Sequence, residues 1–133
     1  MPGMGGTRIL VVDDNPDLRS YLKLLLEGAG YEVVTAGNGN RAMEFQRETP
    51  CVVLVTDIFM PEGDGLETIA RFRREFPTVR IIAISGGGRQ MTGEKYLGLA
   101  SIVGADATLP KPFESEELLA TLDRLLSAKS GKI

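Results

Sequence analysis

The sequence predicts a doubly wound α/β fold, a parallel sheet with helices packed on both faces. Five short runs rich in β-branched residues are each followed by a segment with helical spacing, the pattern of strand–helix–strand units. The inner runs are continuously apolar, as strands buried on both sides must be. Right-handed crossovers then leave few topologies besides the doubly wound one. At 133 residues the chain fits one domain and needs no disulfide or metal staple to hold a core.

The elements follow in order. Residues 8–12 (RILVV) form the first strand and end at Asp13-Asp14. Asn15 then caps a helix whose first residue is Pro16, with Leu18, Leu22, Leu25 and Leu26 on its inner face and Gly28 to Gly30 closing it. The second strand covers 31–36, and a second helix starts at Asn38 and closes before Pro50. The strongest strand, 51–56 (CVVLVT), runs into Asp57. A turn at 60–65 leads to a third helix stopped near Pro77, and a fourth strand at 80–84 ends at Ser85. A glycine-rich stretch, 86–93, precedes a helix near 94–103. A fifth strand near 106–109 reaches Lys111-Pro112, and a leucine-rich fifth helix follows. This divides the chain into a loose tail at 1–7, a folded domain at 8–128 and a short tail at 129–133.

Composition excludes several functions. The net charge of −3, with no Lys/Arg cluster, does not suit a nucleic-acid backbone binder. No run is long enough to span a bilayer, and residues 1–6 lack the features of a signal peptide. The single cysteine, Cys51, opens an apolar strand and reads as a buried hydrophobe in a reducing compartment, so the cytoplasm is the expected location. There is no histidine, which removes histidine-based triads, histidine-ligated zinc and a phospho-histidine donor role.

What remains is positional. Asp13-Asp14, Asp57, Ser85 and Lys111 each fall at or just beyond the C-terminal end of a different strand. In an open α/β sheet those ends meet in one ligand-binding crevice. Three carboxylates, a lysine and a hydroxyl there suit a hard cation and an anionic group, and magnesium prefers such oxygen ligands. Without a cation the acids would raise one another's pKa. Each residue alone has a plainer structural reading. Asp13-Asp14 could favour a helix N-terminus, Asp57 could be a loop acid, Ser85 a turn residue and Lys111 a solvated surface lysine. Their coincidence on one crevice favours the joint reading.

Four motifs resemble those of response-regulator receiver domains: VVDD at 11–14, TDIFMPEGDGLE at 56–67, AIS at 83–85 and LPKPF at 109–113. The resemblance covers most of the chain, from about Arg8 to about Ser127. It implies a flavodoxin-like five-stranded parallel sheet of order 2-1-3-4-5 with five helices. It implies that Asp57 is the phosphoacceptor and that Mg2+ is bound by Asp14, Asp57 and the carbonyl of Phe59, with Asp13 acting through water. Lys111 would pair with Asp57 and then with the phosphoryl group, Ser85 would hydrogen-bond a phosphoryl oxygen, and a cis bond before Pro112 would aim Lys111 inward. The implied donor is a sensor histidine kinase or a histidine phosphotransfer protein, and the output is a downstream protein rather than nucleic acid or membrane. Such a chain is a signalling phosphoacceptor in a phosphorelay, not an enzyme that turns over. The chain ends just after the fifth helix, which suggests a stand-alone receiver unless it was excised from a longer protein.

Three departures bear on mechanism. Thr108 stands where most receivers carry a switch aromatic, the stretch from Ser85 to Lys111 is long and glycine-rich, and Phe59 is bulky beside the site. We therefore expect phosphorylation to order residues 86–98 and so alter the face formed by that loop, the fourth helix, the fifth strand and the fifth helix. The alternatives from other classes are a phosphorylation-independent interaction module of the same fold, a flavin-binding electron carrier and a metal-dependent phosphatase. The acids after the first strand oppose the flavin reading, because they would repel a phosphate there.

Overall fold

A computed structural model describes residues 7–58, 65–85, 98, 100, 101 and 103–131. Five strands, β1 (Arg8–Val12), β2 (Glu32–Ala36), β3 (Val53–Asp57), β4 (Arg80–Ser85) and β5 (Ala107–Pro110), form one sheet of order β2-β1-β3-β4-β5. Every pairing is parallel. The expected architecture and strand order are those observed. Helices α1 (Pro16–Gly28), α2 (Gly39–Glu48), α3 (Gly65–Glu75) and a C-terminal helix (Ser115–Gly131) cover the faces. Of the helix expected near 94–103, the described residues Gly98, Ala100, Ser101 and Val103 are helical.

Alternation within the strands feeds two cores. Leu10, Val12, Leu54, Ile81 and Ala83 point to the face that packs Met43, Ile69, Phe72 and Ala100. Ile9, Val11, Val53, Val55, Ile82 and Ile84 point to the other, against Leu22, Leu26, Leu118 and Leu122. Because both faces are buried, the strands read as unbroken apolar runs in the sequence.

Local chemistry sets the ends of the elements. The Asn15 side chain accepts from the amides of Asp17 and Leu18, and Asn38 does the same for Arg41, so both expected caps are in place. Gly30 closes the α1–β2 turn at φ +99°, a conformation that costs glycine least. At the opposite end of the sheet from the acids, the Arg73 guanidinium donates to the carbonyls of Gly104, Pro77 and Val79 and pairs with Asp106 at 2.7 Å. Asp106 Oδ2 also accepts from the Ile81 amide at 2.8 Å, which fastens α3 to the start of β4 and to the approach to β5.

Cys51 is buried as expected, and its thiol is pushed up from 9.0 to about 11, chiefly by burial. A neutral thiol of this kind is a poor nucleophile. We expect it to resist a disulfide reagent in native buffer and to react fully in denaturant. A raised thiol pKa stabilises the fold fully below 9.0, where folded and unfolded thiols are both neutral. That contribution is lost as pH rises through about 11, where the unfolded chain gains from ionising first. Denaturation at pH 8 and pH 10.5 should thus show an alkaline loss about 2 kcal/mol larger than in Cys51→Ala, where buried Tyr31 still contributes. An equal alkaline loss in both proteins would reject it.

Candidate phosphoacceptor and metal site

The fold brings the acids together at the C-terminal edge of the sheet. Asp13 follows β1 directly and Asp57 is the last residue of β3, the strand paired with β1. Strand order reverses on either side of β1, and it is beside such a switch point that open sheets leave a ligand crevice. The carboxylate oxygens of Asp13, Asp14 and Asp57 lie within 4.8 Å of one another. Asp13 and Asp57 are buried, whereas Asp14 is exposed to solvent.

Lys111, just past β5, reaches across the sheet edge to these acids. Its Nζ is 3.6 Å from Asp57 Oδ2 and 3.8 Å from Asp13 Oδ2. The lysine thus bridges two acids, where the resemblance paired it with Asp57 alone. The Lys111–Pro112 peptide bond is cis. Burial raises the Asp13 carboxyl above its ordinary value, and the charge of Asp14 adds to that. The Asn15 amide, Lys111 and Arg19 pull it back down. A cation among these acids would relieve the strain of holding three charges together.

The donor set fits magnesium. An octahedral ion with oxygens at about 2.1 Å has ligand atoms about 3–4 Å apart, so small side-chain movements or a water complete the geometry. With Asp14 exposed, an ion held here would stay open to solvent, which suits magnesium because it keeps several waters. The described residues support this set without Phe59, whose carbonyl lies outside them.

Ser85 is the last residue of β4 and pairs with Pro110 of β5, so its backbone borders the same crevice. The role expected of its hydroxyl lies outside the described side chains, and of the segment 86–98 expected to order only Gly98 lies within the described residues. Thr108 sits half-buried on β5, paired with Ala83 of β4, where the departure from the family pattern placed it.

Two residues near the acids were not legible as site residues. Arg19 Nη1 donates to the Asp13 main-chain carbonyl at 2.7 Å. Gly65 brings the start of α3 against the Asp57 carbonyl and Ile58, where a Cβ would overlap backbone atoms. The arginine at its α1 position and the glycine inside the 56–67 motif were the available signals.

An open parallel sheet of this order, with acids at the switch point and a lysine facing them, is the architecture of a receiver domain. The family description "Response regulator receiver domain" matches residues 9–123, and the chain belongs to that family. Similar curated proteins include the response regulator MprA of Mycobacterium leprae, 39% identical over 90% of this chain and 50% of its own length. The CpxR homolog of Haemophilus influenzae, a transcriptional regulatory protein, is 36% identical over 90% of this chain and 50% of its own. The DNA-binding transcriptional regulator NtrC of Azospirillum brasilense is 33% identical over 96% of this chain and 26% of its own. The chain therefore spans half or less of the length of these relatives. Among solved structures, the chemotaxis protein CheY4 of Vibrio cholerae superposes with a TM-score of 0.80 at 31% identity, covering 89% of this chain and 97% of that one. The response regulator TrrA from Thermotoga maritima, solved in complex with Mg(2+)-BeF, gives 0.79 at 33% identity, covering 90% and 98%. Among the described residues no helix is long and apolar enough to cross a membrane.

Proposed function

We propose that this chain is the phosphoacceptor switch of a two-component or phosphorelay system, with Asp57 as the residue modified. The observation that carries the reading is the convergence of Asp13, Asp14 and Asp57 within 4.8 Å, with Lys111 3.6 Å from Asp57. The donor in this reading is a phospho-histidine on a sensor histidine kinase or a histidine phosphotransfer protein. An Asp57 carboxylate oxygen attacks phosphorus, the phosphorus–nitrogen bond breaks, the imidazole leaves with its electron pair, and an acyl phosphate forms. Asp13, Asp14 and Asp57 would hold the ion, and Mg2+ when bound supplies charge neutralisation to the transferring group. Lys111 orients and neutralises the phosphoryl oxygens. Such transfer relies on alignment and electrostatics more than on acid–base chemistry, which suits a site without histidine.

Several features support this reading. A relative of the same fold is solved with magnesium and beryllofluoride, and sequence likeness to regulators spans nearly all of this chain. The chain consumes its own Asp57, so it acts as a signal carrier and not as a turnover catalyst. Its output is a protein contact, made in the cytoplasm. The net charge of −3 favours a protein partner over nucleic acid for this chain, even though NtrC is a DNA-binding regulator over its whole length. Incubation with Mg2+ and acetyl phosphate, followed by mass spectrometry, tests the proposal. One phosphoryl group on Asp57 is expected, and an unmodified protein would favour a phosphorylation-independent interaction module.

Lys111→Ala should remain folded but lose up to a few kcal/mol of stability in metal-free buffer, since its partners Asp13 and Asp57 are buried and would be left without a facing cation. It should still accept phosphate, but the amide chemical-shift response to phosphorylation should largely vanish. The full wild-type shift change in that variant would remove Lys111 from the signalling path.

A further inference from the structure

The turn that carries the two metal-binding acids is fastened at three points. The Asp13 amide donates to the Ala36 carbonyl at 3.2 Å, and Asp13 Oδ1 accepts from the Asn15 amide at 2.8 Å. The third fastening comes from a side chain. Arg19, one turn into α1, returns its Nη1 to the Asp13 carbonyl at 2.7 Å, a short charge-assisted bond in a partly buried position. Space for that guanidinium is left by Gly37 at the end of β2. A Cβ on Gly37 would stand 3.2 Å from Arg19 Nη1 and 3.8 Å from Cζ. Gly30 and Gly104 are the described glycines with positive φ, so Gly37 serves by being small and not by its backbone conformation.

We propose that Arg19 is a positioning residue for magnesium: it fixes the direction in which Asp13 and Asp14 leave β1, and Gly37 keeps its berth open. The inference rests on the reading that these acids bind Mg2+. Two effects of Arg19 on the ion oppose each other. Its positive charge should weaken cation binding, while its bond to the carbonyl should strengthen it by holding the carboxylates close together. The guanidinium is partly solvated, which screens its charge, whereas the hydrogen bond acts directly on the backbone of the ligand residue. Positioning therefore dominates, as it does for partners that orient metal ligands elsewhere.

The opposed signs make the test decisive. Calorimetric titration of Mg2+ is expected to give about tenfold weaker binding in Arg19→Leu. Arg19→Lys, which keeps a donor and the charge, should stay within a few-fold of wild type. Gly37→Ala, which crowds the guanidinium without removing it, should weaken binding in the same direction by a smaller factor. Exchange of the Asn15 amide in metal-free protein should be faster in Arg19→Leu, because the turn it reports on is released. Tighter or unchanged Mg2+ binding in Arg19→Leu, with Asn15 exchange as slow as in wild type, overturns the proposal. Asp14→Ala serves as the separate control. If wild type and Asp14→Ala bind Mg2+ equally, the metal reading fails; the metal-free exchange still decides whether Arg19 holds the turn.

Discussion

Asp57→Asn is expected to abolish phosphoryl uptake while leaving the fold intact. A carboxamide matches the carboxylate in shape but offers no comparably nucleophilic oxygen, so incorporation from acetyl phosphate should fall at least about a thousandfold. The fold should not suffer, because Asp57 is buried beside two other acids within 4.8 Å. Neutralising one of three crowded carboxylates lowers their mutual repulsion, which offsets the loss of the ion pair with Lys111 at 3.6 Å. The melting temperature should therefore hold or rise slightly. Magnesium affinity should drop together with phosphorylation, since one ligand loses its charge. Phosphoryl uptake by Asp57→Asn at the wild-type rate would refute Asp57 as the acceptor.

The strands were legible because a sheet buried on both faces needs unbroken apolar runs, and these runs end at residues that chemistry can use. Their exact limits were less legible, for reasons visible in single hydrogen bonds. The third strand was expected from residue 51 but begins at Val53. Both backbone groups of Cys51 are taken by the Gln46 side chain, at 3.0 and 3.1 Å, so they are not available to the ladder. Tyr31 likewise falls outside β2 because its amide still donates to the Leu26 carbonyl at the end of α1. Such ties join residues across a turn, and apolar periodicity cannot show them. The acids and Lys111 were legible because strand ends locate them without side-chain detail. Arg19 was not, since its function depends on a carbonyl that any residue at position 13 would supply.

Gly65 shows the same limit at the point where it matters most for the site, and its replacement should have a large effect. The 60–65 stretch reads as a turn, and a turn glycine is ordinarily explained by backbone freedom. Gly65 does not have a positive φ. It is the first residue of α3, packed against the carbonyl of Asp57, the proposed phosphoacceptor, and a Cβ there would overlap the Asp57 oxygen and Ile58 backbone. Backbone atoms cannot swing aside as the end of a side chain can, so either α3 or the end of β3 must move. Moving α3 would disturb Ile69 and Phe72, both fully buried, and moving β3 would displace Asp57 from Asp13 and Lys111. Overpacking of this kind costs about 1–3 kcal/mol or more. Gly65→Ala should thus lower the unfolding free energy by that amount, moving the urea midpoint down without changing the slope, and should slow Asp57 phosphorylation in protein that is still folded. Gly28→Ala is the matched control, because nothing lies within 4 Å of the added methyl at the end of α1. That variant should be neutral or stabilised by up to about 1 kcal/mol. A Gly65→Ala protein as stable and as quickly phosphorylated as wild type would show that the junction between β3 and α3 tolerates a side chain, and that Asp57 is positioned by other contacts.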